Sequence, residues 1–228
     1  MTFHPLGDSA LIVDFADESS DRERLLARAL SAAERLERAN VAGVIDVTCA
    51  YESVAVFFDP TRIGQDFEEK IGALVPSAGV RAPRKGRRME IPVCYDDEFA
   101  LDLARVASQT SLTGDAIIAL HSSTKYTVAC IGFVPGFPFL AGLPDKLRVP
   151  RLESPRTKVP AGSVAIANAQ AGIYPFESPG GWNVIGRTPL RLFRANENPP
   201  TLLRPGDRVR FRSITRDEFE GRIKEDGK

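Results

Sequence analysis

The feature that most constrains this chain is the density of glycine and proline turns between residues 121 and 193. Proline fixes the backbone φ angle and glycine accepts positive φ, so segments that combine them form tight turns. Pro135-Gly136, Ser178-Pro179-Gly180-Gly181 and Gly186-Arg187-Thr188-Pro189 each predict such a turn. Short strands between regular turns favour a closed or nearly closed β-barrel over an open sheet. The turns also predict a concave surface built from loops.

Five short strands are predicted in the barrel region, at residues 125–133, 162–168, 183–186, 189–194 and 207–214. In the last of them Val209 and Phe211 alternate with three arginines, which is the period-2 pattern of a strand with one buried face. A strand from Met89 to Cys94 precedes this region. Two helices lie between, one after Asp97 and one over about residues 114–120.

The N-terminal region shows a different pattern, typical of a small α+β unit. Residues 7–15 alternate as a strand, and Ser20 to Glu23 has the form of a capping box. A helical stripe of leucine and alanine follows at residues 25–36. Two strands at residues 43–49 and 53–58 and a short helix over residues 67–74 complete the unit. The order βαββα predicts a ferredoxin-like arrangement.

Residues 76–88 are rich in Pro, Gly and Arg and poor in large apolar residues, which is typical of a linker. We therefore predict two domains, an N-terminal α+β domain over residues 1–82 and a β-barrel domain over residues 83–228. The stretch contains a basic cluster, which we interpret as solvated linker rather than as a binding patch. Its members are Arg81, Arg84, Lys85, Arg87 and Arg88.

Composition excludes several classes of function. The chain has 30 acidic and 30 basic residues, so no overall charge attracts nucleic acid or an anionic membrane. Its 3 cysteines are odd in number and far apart, which argues against a disulfide framework and for a reducing cytosol. With only 2 histidines, a multi-histidine metal site is excluded. No apolar run approaches the roughly 20 residues that span a bilayer, and no signal-peptide pattern is present, so we expect a soluble, cytoplasmic protein.

Aromatic and polar side chains in the turn-rich region predict a small-molecule pocket. Aromatic walls with a few convergent polar groups are typical of such pockets. The aromatic residues are Tyr126, Phe133, Phe137, Tyr174 and Trp182. Arg151 and Arg156 lie between them in the sequence, and Arg187 follows them.

Three residues are candidates for catalysis, and each has a structural alternative. His121 is a candidate general base or a group that orients a carboxyl, or else a residue at a helix C-terminus that complements the helix dipole. The guanidinium groups of Arg156 and Arg187 suit two-point contact with a carboxylate or a phosphate, or else bond loop carbonyls.

Gln170, Tyr174, Ser178 and Trp182 lie on two successive turns, and their amide, phenol, hydroxyl and indole groups suit a small polar amide. For Tyr174 and Trp182 the alternative is a core aromatic whose polar end finds a backbone partner. The sequence has no phosphate-binding loop, no dinucleotide-binding glycine motif and no nucleophile elbow. A nucleotide would therefore bind at an unusual site or with residues from a partner.

Several motifs follow one another along the chain in a fixed order. They include Gly7-Asp8-Ser9-Ala10-Leu11, Leu120-His121-Ser122-Ser123, Ile131-Gly132-Phe133-Val134-Pro135-Gly136-Phe137-Pro138, Pro150-Arg151-Leu152, Gly172-Ile173-Tyr174-Pro175, Ser178-Pro179-Gly180-Gly181-Trp182 and Ile185-Gly186-Arg187-Thr188-Pro189. Together they resemble a single family, the B-type subunits of bacterial ATP-dependent 5-oxoprolinase, over about residues 5–215. That family includes the sporulation-kinase inhibitor KipI and is also labelled allophanate hydrolase subunit 1.

The resemblance implies a cyclophilin-like β-barrel after the α+β domain, and two kinds of partner. These are a C-type protein, KipA-like, and an A-type protein, LamB/YcsF-like. Together they would convert 5-oxoproline, ATP and water to L-glutamate, ADP and phosphate, with this chain inactive alone. ATP, with Mg²⁺, would bind at a site shared with the partner. The alternatives are a KipI-like inhibitor of a sensor histidine kinase and a component of a urea carboxylase or allophanate hydrolase system.

The chemistry of lactam opening fits the predicted residues. The lactam is a stable amide, and coupling to ATP would activate its oxygen as a phosphate ester before water attacks. Such a step needs cations for phosphate charge, for which we predict Arg156 and Arg187. It also needs fixed donors at the lactam, for which we predict Gln170 and Tyr174. Phe139 stands where the family usually has a tyrosine, so that position receives no polar role.

Overall fold

The computed structural model describes residues 1–16, 19, 21–75 and 86–226. Two compact units are present, Met1–Gly86 and Arg87–Lys228. The predicted boundary between residues 82 and 83 lies outside the described residues, and the two-domain division at that point stays a prediction. Three residues of the basic cluster, Arg81, Arg84 and Lys85, also lie outside them.

The first unit is a four-stranded antiparallel sheet with two helices, and its sheet order is β1-β2-β4-β3. Apolar residues alternate along the strands, and one face packs on α1 to form a core that includes Val13, Leu25, Ala29, Val54 and Val56. The elements are β1 Thr2–Pro5, β2 Ala10–Asp14, α1 Arg22–Ala39, β3 Val44–Ala50, β4 Ser53–Phe58 and α2 Phe67–Leu74.

This unit confirms the α+β class and corrects two details. The sequence analysis missed β1, because four residues that include Pro5 give too short a pattern. The N-cap of α1 is Asp21 rather than Ser20, and its carboxylate accepts the backbone N–H groups of Glu23 and Arg24 at 3.0 and 3.2 Å. Ser20 itself lies outside the described residues. The order is therefore ββαββα, and the ferredoxin-like arrangement stays a prediction.

The second unit is built on a seven-stranded sheet of order β12-β9-β10-β7-β6-β13-β5, with a separate two-stranded ribbon, β11-β8. Its strands are β5 Arg88–Val93, β6 Lys125–Ile131, β7 Pro138–Ala141, β8 Arg156–Val159, β9 Ser163–Ala167, β10 Gln170–Ile173, β11 Ser178–Gly180, β12 Asn183–Arg187 and β13 Arg208–Ser213. Its helices are α3 Leu103–Thr110, α4 Gly114–Ser123 and α5 Arg216–Asp226.

The seven strands close on themselves where the two edge strands meet. Cys94, just after β5, exchanges two backbone hydrogen bonds with Arg187 at the end of β12, at 2.8 and 2.9 Å. Successive side chains along each strand point to opposite faces of the sheet, one towards the barrel interior and one towards the outside. Val164, Ile166 and Ile185 belong to one large core, the barrel interior, which α3 and α4 also join. Their sequence neighbours face the other way and form the outer face of the barrel.

The strand predictions were right where apolar and polar residues alternate strictly, and they failed where this alternation is interrupted. The predicted face of β13 is confirmed, since Val209 and Phe211 are each 1% exposed. The predicted strand over residues 189–194 is wrong, because that segment makes only an isolated bridge between Phe193 and Thr201. The sequence analysis missed β7, β8, β10 and β11, and Pro138, Gly172 and Pro179 explain three of these omissions, since each interrupts a strand pattern. It also missed α5.

Arg87 corrects the interpretation of the basic cluster as solvated linker. Its guanidinium pairs with the carboxylate of Asp207, a residue that is 3% exposed, and its backbone N–H donates to the same carboxylate at 3.1 Å. Arg88 begins β5. These two residues therefore belong to the second unit and tie its first strand to the turn before β13.

No helix in the described part of the chain combines the length and the apolar character that crossing a membrane requires. None of the cysteines Cys49, Cys94 and Cys130 forms a disulfide bond.

Candidate functional site

Four aromatic side chains pack together on the outer face of the barrel, and we call them the outer aromatic cluster: Phe137, Phe139, Tyr174 and Trp182. The ring centroid of Phe137 lies 4.9 Å from that of Phe139, 5.2 Å from that of Tyr174 and 5.5 Å from that of Trp182. The rings meet at tilted or edge-to-face angles, the geometry that ring quadrupoles favour. The structure thus brings the predicted residues Tyr174 and Trp182 together with Phe137.

The cluster lies close on the sheet because the strands beneath it carry small residues. A Cβ atom at Gly172 in β10 would lie 2.7 Å from Cζ of Phe137 and 3.1 Å from Cζ3 of Trp182. Such distances leave no room for a side chain, so this position requires glycine. Ala165 and Ala167 belong to the same cluster of buried residues. Glycine and alanine here make a flat floor on which large rings rest.

Ser178 faces the outer aromatic cluster from the ribbon β8–β11. It is directly opposite Val159, a member of that buried cluster, and opposed residues of an antiparallel pair point to the same side. Ser178 is 8% exposed, and its buried Oγ has no hydrogen-bond partner among the described residues. A buried hydroxyl without a partner costs free energy, so a ligand group that bonds to it would relieve that cost.

Phe133 is at the rim of the cluster in a left-handed backbone conformation. Its φ angle is +67°, its exposed fraction is 65%, and its ring meets that of Phe137 edge to face at 5.6 Å. Positive φ is costly for an aromatic residue and concentrates at functional positions. Because most of the side chain is exposed, packing within the chain does not offset that cost. The conformation presents an aromatic ring to solvent at the edge of the predicted pocket.

Two polar groups complete this face. Gln170 begins β10 in the same alternating set as Gly172, which places it on the outer face, and it is partly buried. The hydroxyl of Tyr174 lies so close to Gly180 that a Cβ atom there would overlap it. Burial raises the pKa of Tyr174, while a hydrogen bond from the Trp182 backbone and the charges of Arg151 and Arg156 lower it. Two arginine side chains therefore lie near enough to this hydroxyl for their charges to act on it.

Arg156, one of the predicted cations, is held by a buried carboxylate. Its Nη1 and Nη2 donate to the two oxygens of Asp102 at 2.9 and 2.7 Å, and Asp102 also accepts the backbone N–H of Val184 at 2.7 Å. Asp102 is 5% exposed and precedes α3 without capping it. The two-point contact that was predicted for a ligand is thus already made within the chain.

Sequence reasoning missed Asp102 and a second polar pair beside it. Arg105 on α3 donates through Nε to Oδ1 of Asn183 at 3.1 Å, and Asn183 is fully buried. Asn183 in turn donates to the carbonyl oxygens of Pro150 and Ile166 at 2.9 and 3.2 Å. One signal in the sequence could have indicated this pair. Asn183 comes directly before the apolar residues Val184 and Ile185, and a buried side-chain amide requires hydrogen-bond partners.

Arg187 lies at the closure of the barrel, away from Arg156. Its Nε donates to the carbonyl oxygen of Ala161 at 2.7 Å, and its guanidinium carbon lies 5.9 Å from the ring centroid of Phe99. Burial lowers the pKa of Arg187, and the charge of Glu98 raises it. Among the described residues no carboxylate pairs with it within 4 Å. Five residues of strand, about 16 Å in extended geometry, separate it from Trp182.

His121 and Tyr126 lie in the barrel interior, not at the outer face. Both are 0% exposed, and the His121 ring stacks on Phe211 with a centroid distance of 4.3 Å. Its Nδ1 is 2.8 Å from the hydroxyl of Tyr95. Burial lowers the pKa of His121 to about 3. An interior position gives neither residue a surface for substrate. With a pKa of about 3 the His121 imidazole is neutral at pH 7, so it does not complement the helix dipole as a cation would, and the predicted roles of both residues stay predictions.

A cleft of about 610 Å³ lies elsewhere in the second unit, and its lining includes Asp96, Asp97 and Asp115. Its lining residues include no lysine or arginine, so its charge suits an anionic ligand poorly. We therefore place the candidate site at the outer aromatic cluster. Over the described ranges, no three His, Cys, Asp or Glu side chains come together in a way that would hold a metal ion.

Comparison with known proteins identifies the family. A family model described as the carboxyltransferase domain, subdomain C and D, matches residues 1–203. A Bacillus subtilis protein named as the B subunit of 5-oxoprolinase is 40% identical over 229 residues, which cover 94% of this chain and 93% of that protein. The chain belongs to the family of 5-oxoprolinase B subunits. The family resemblance drawn from the motifs is confirmed.

Two solved structures extend the comparison to larger proteins. The crystal structure of TTHA0988 matches with a TM-score of 0.78 and 40% identity over 90% of this chain, which spans only 40% of that protein. The urea carboxylase of Kluyveromyces lactis matches with a TM-score of 0.75 over 98% of this chain and 22% of that protein. At 21% identity, this second likeness shows the fold alone. In both larger proteins, further chain accompanies the part that resembles this one.

Proposed function

We propose that this chain is the B subunit of an ATP-dependent 5-oxoprolinase. With C-type and A-type partner proteins it would convert 5-oxoproline, ATP and water to L-glutamate, ADP and phosphate. The observation that carries the proposal is the match over nearly the whole length of both chains to the Bacillus subtilis protein of that name. The larger protein TTHA0988 supports a heteromeric complex, because it contains further chain beside the part that resembles this one.

The outer aromatic cluster is the place where this chain would contact a small ring acid. Phe133 and Trp182 offer apolar contact to the ring carbons. Gln170, the Tyr174 hydroxyl and the unpartnered Ser178 Oγ offer hydrogen bonds to the lactam N–H and C=O. In the proposed reaction the ring C–N bond breaks, a water oxygen bonds to the carbonyl carbon, and the nitrogen becomes the amino group of glutamate. This chain's part is to hold the lactam while its partners complete the site.

No cluster of this chain is assigned as a ligand of ATP or of Mg²⁺. The described residues provide no three-residue metal site, and the sequence has no phosphate-binding loop. ATP supplies the driving force for opening a stable amide, and we propose that the partner proteins provide most of its binding site. His121 and Tyr126 have no part in the proposed ligand contacts, because neither side chain has exposed surface.

The finer assignments made from the family resemblance are part of this proposal. They are a ferredoxin-like first domain, a cyclophilin-like barrel, partners of the KipA and LamB/YcsF kinds, and a cytoplasmic location. The mixed α+β fold with a closed barrel supports the two fold assignments, and the absence of a disulfide among Cys49, Cys94 and Cys130 supports the location. The name of the Bacillus subtilis relative as a B subunit supports the existence of partners.

Reconstitution tests the proposed function. The purified chain is mixed with the C-type and A-type proteins of the same organism, and 5-oxoproline-dependent release of ADP and glutamate is measured with each protein omitted in turn. We expect turnover by the full mixture and none by this chain alone, because its sequence has no phosphate-binding loop. Robust glutamate production by the isolated chain would refute the shared site. No turnover by the full mixture would refute the function.

Arg187 is the remaining candidate cation for phosphate charge, because Arg156 is paired with Asp102. We expect Arg187→Ala to lower turnover of the assembled complex at least tenfold, about 1.4 kcal/mol of transition-state stabilisation. Arg187→Lys should recover only part of the rate, since an ammonium lacks the planar fork of a guanidinium. A variant that melts at a lower temperature yet keeps full specific activity would instead make Arg187 a structural residue of the barrel closure.

A further inference from the structure

Arg151 has a fixed backbone and a free side chain. The residues on either side of it are bonded to the segment that carries Trp182: the Leu152 N–H donates to the Gly181 carbonyl at 2.8 Å, and the Pro150 carbonyl accepts from the Asn183 side chain at 2.9 Å. The side chain itself is exposed, and its guanidinium carbon lies 6.0 Å from the ring centroid of Trp182. The arginine is thereby held at the outer aromatic cluster while its charged end faces solvent.

The other arginines of this region each make at least one hydrogen bond within the chain. Arg156 gives both terminal nitrogens to Asp102, Arg105 gives its Nε to Asn183, and Arg187 gives its Nε to the Ala161 carbonyl. Arg151 makes no hydrogen bond or ion pair with the part of the chain that the structure describes. The whole donor fork of its guanidinium is therefore available to an anion.

The groups beside Arg151 suit an acid that also carries an amide. The charges of Arg151 and Arg156 both act on the Tyr174 hydroxyl. Ser178 Oγ is buried and has no hydrogen-bond partner among the described residues. It lies on the same side of the ribbon as Val159, which packs with the outer aromatic cluster. Because Asp102 neutralises Arg156, the uncompensated positive charge at the cluster belongs to Arg151. A guanidinium over an indole ring is also less hydrated than one in open water, which strengthens its contact with an oxyanion.

We propose that Arg151 is the residue that binds the carboxylate of the ring acid held at the outer aromatic cluster. This inference rests on the proposed function, and it assigns the substrate carboxylate to a residue other than the two predicted cations. Arg156 is then a positioning residue, held by Asp102 beside Tyr174. A phosphate group has the same two-point chemistry, so the experiment must separate a carboxylate ligand from a phosphate.

Trp182 provides a direct probe, because it is the only tryptophan of the chain. The full-length isolated protein is titrated with three ligands while Trp182 fluorescence is followed. They are 5-oxoproline, its uncharged carboxamide and inorganic phosphate. The titrations are repeated with Arg151→Gln and Arg151→Lys. The matched control is Arg148→Gln, an arginine that is 51% exposed and pairs with Asp145 three residues away. Calorimetric titration of the same samples gives the affinity independently of fluorescence.

We expect saturable binding of 5-oxoproline by the wild-type chain, and at least tenfold weaker binding of the carboxamide. Arg151→Gln should weaken 5-oxoproline binding at least tenfold without changing that of the carboxamide, Arg151→Lys should recover part of it, and Arg148→Gln should bind as the wild type does. Equal 5-oxoproline affinity in wild type and Arg151→Gln would overturn the proposal. So would a response to phosphate with none to 5-oxoproline, or no response at all. Turnover of the reconstituted complex judges the proposed function separately.

Discussion

Replacing Asp102 by alanine is expected to lower the free energy of unfolding of the second unit by about 3 kcal/mol, because it leaves buried partners without an acceptor. Asp102 accepts both terminal nitrogens of Arg156 and the backbone N–H of Val184. Arg156 is 29% exposed, so water can recover part of its loss, whereas Val184 is fully buried. Urea unfolding followed by the fluorescence of Trp182, which lies in this unit, measures the change.

Two further variants decide how the effect of Asp102→Ala is interpreted. Asp145→Ala removes another Asp–Arg pair of this unit, but Asp145 is 84% exposed, so we expect a change below about 0.5 kcal/mol. Asp102→Asn keeps the volume and one acceptor, so it should fall between the two. If Asp102→Ala were no more destabilising than Asp145→Ala, Asp102 would not be the residue that joins the start of α3 to β8 and β12.

The strands that the sequence predicted are those whose own residues alternate. β13 repeats Arg and apolar residues in strict order, and its span was found to within one residue at each end. β10 contains the Ala-Gly pair at 171–172, and β11 is Ser-Pro-Gly. Hydrogen bonding to neighbouring strands makes these two segments strands. β10 pairs with β9 on one side and β7 on the other, and β11 pairs with β8. β9 lies next to β10 in the sequence, but β7 and β8 lie well before the strands that pair with them, and such pairing leaves no local pattern.

The site, like the strands, was predicted where its residues lie close together in the sequence and was not predicted where they lie far apart. Phe133, Tyr174, Ser178 and Trp182 meet at one face, as their common turn-rich segment suggested. Tyr126 does not join them, because it points into the barrel interior with Val128. The alternation of Lys125 and Thr127 with Tyr126 and Val128 was the available signal for that orientation. The pairing of Arg156 with Asp102 joins residues 54 apart, and spacing cannot reveal it. The two-point contact that was predicted between Arg156 and a ligand is instead made with Asp102.

Acid is expected to destabilise the second unit through His121 at pH values where the carboxylates are still charged. Burial lowers the folded-state pKa of His121 to about 3, whereas a histidine in an unfolded chain has a pKa near 6.5. The unfolded state therefore binds a proton below pH 6.5 that the folded state does not. The stability from a neutral His121 is fully present above that pH and is lost as pH falls from 6.5 towards 3, by about 1.4 kcal/mol per unit.

Between pH 7.5 and 5.0 this loss amounts to about 2 kcal/mol, which urea unfolding at each pH, followed by Trp182 fluorescence, would detect. His121→Gln keeps a polar group near the Tyr95 hydroxyl but cannot take up the proton. We expect it to be less stable than the wild type at pH 7.5 and to lose much less stability on going to pH 5.0. His4→Gln is the control, since His4 is the other histidine of the chain and lies exposed in the first unit. An equal pH dependence in wild type and His121→Gln would mean that His121 is open to water and protons, and its predicted role as an acid or base would regain physical support.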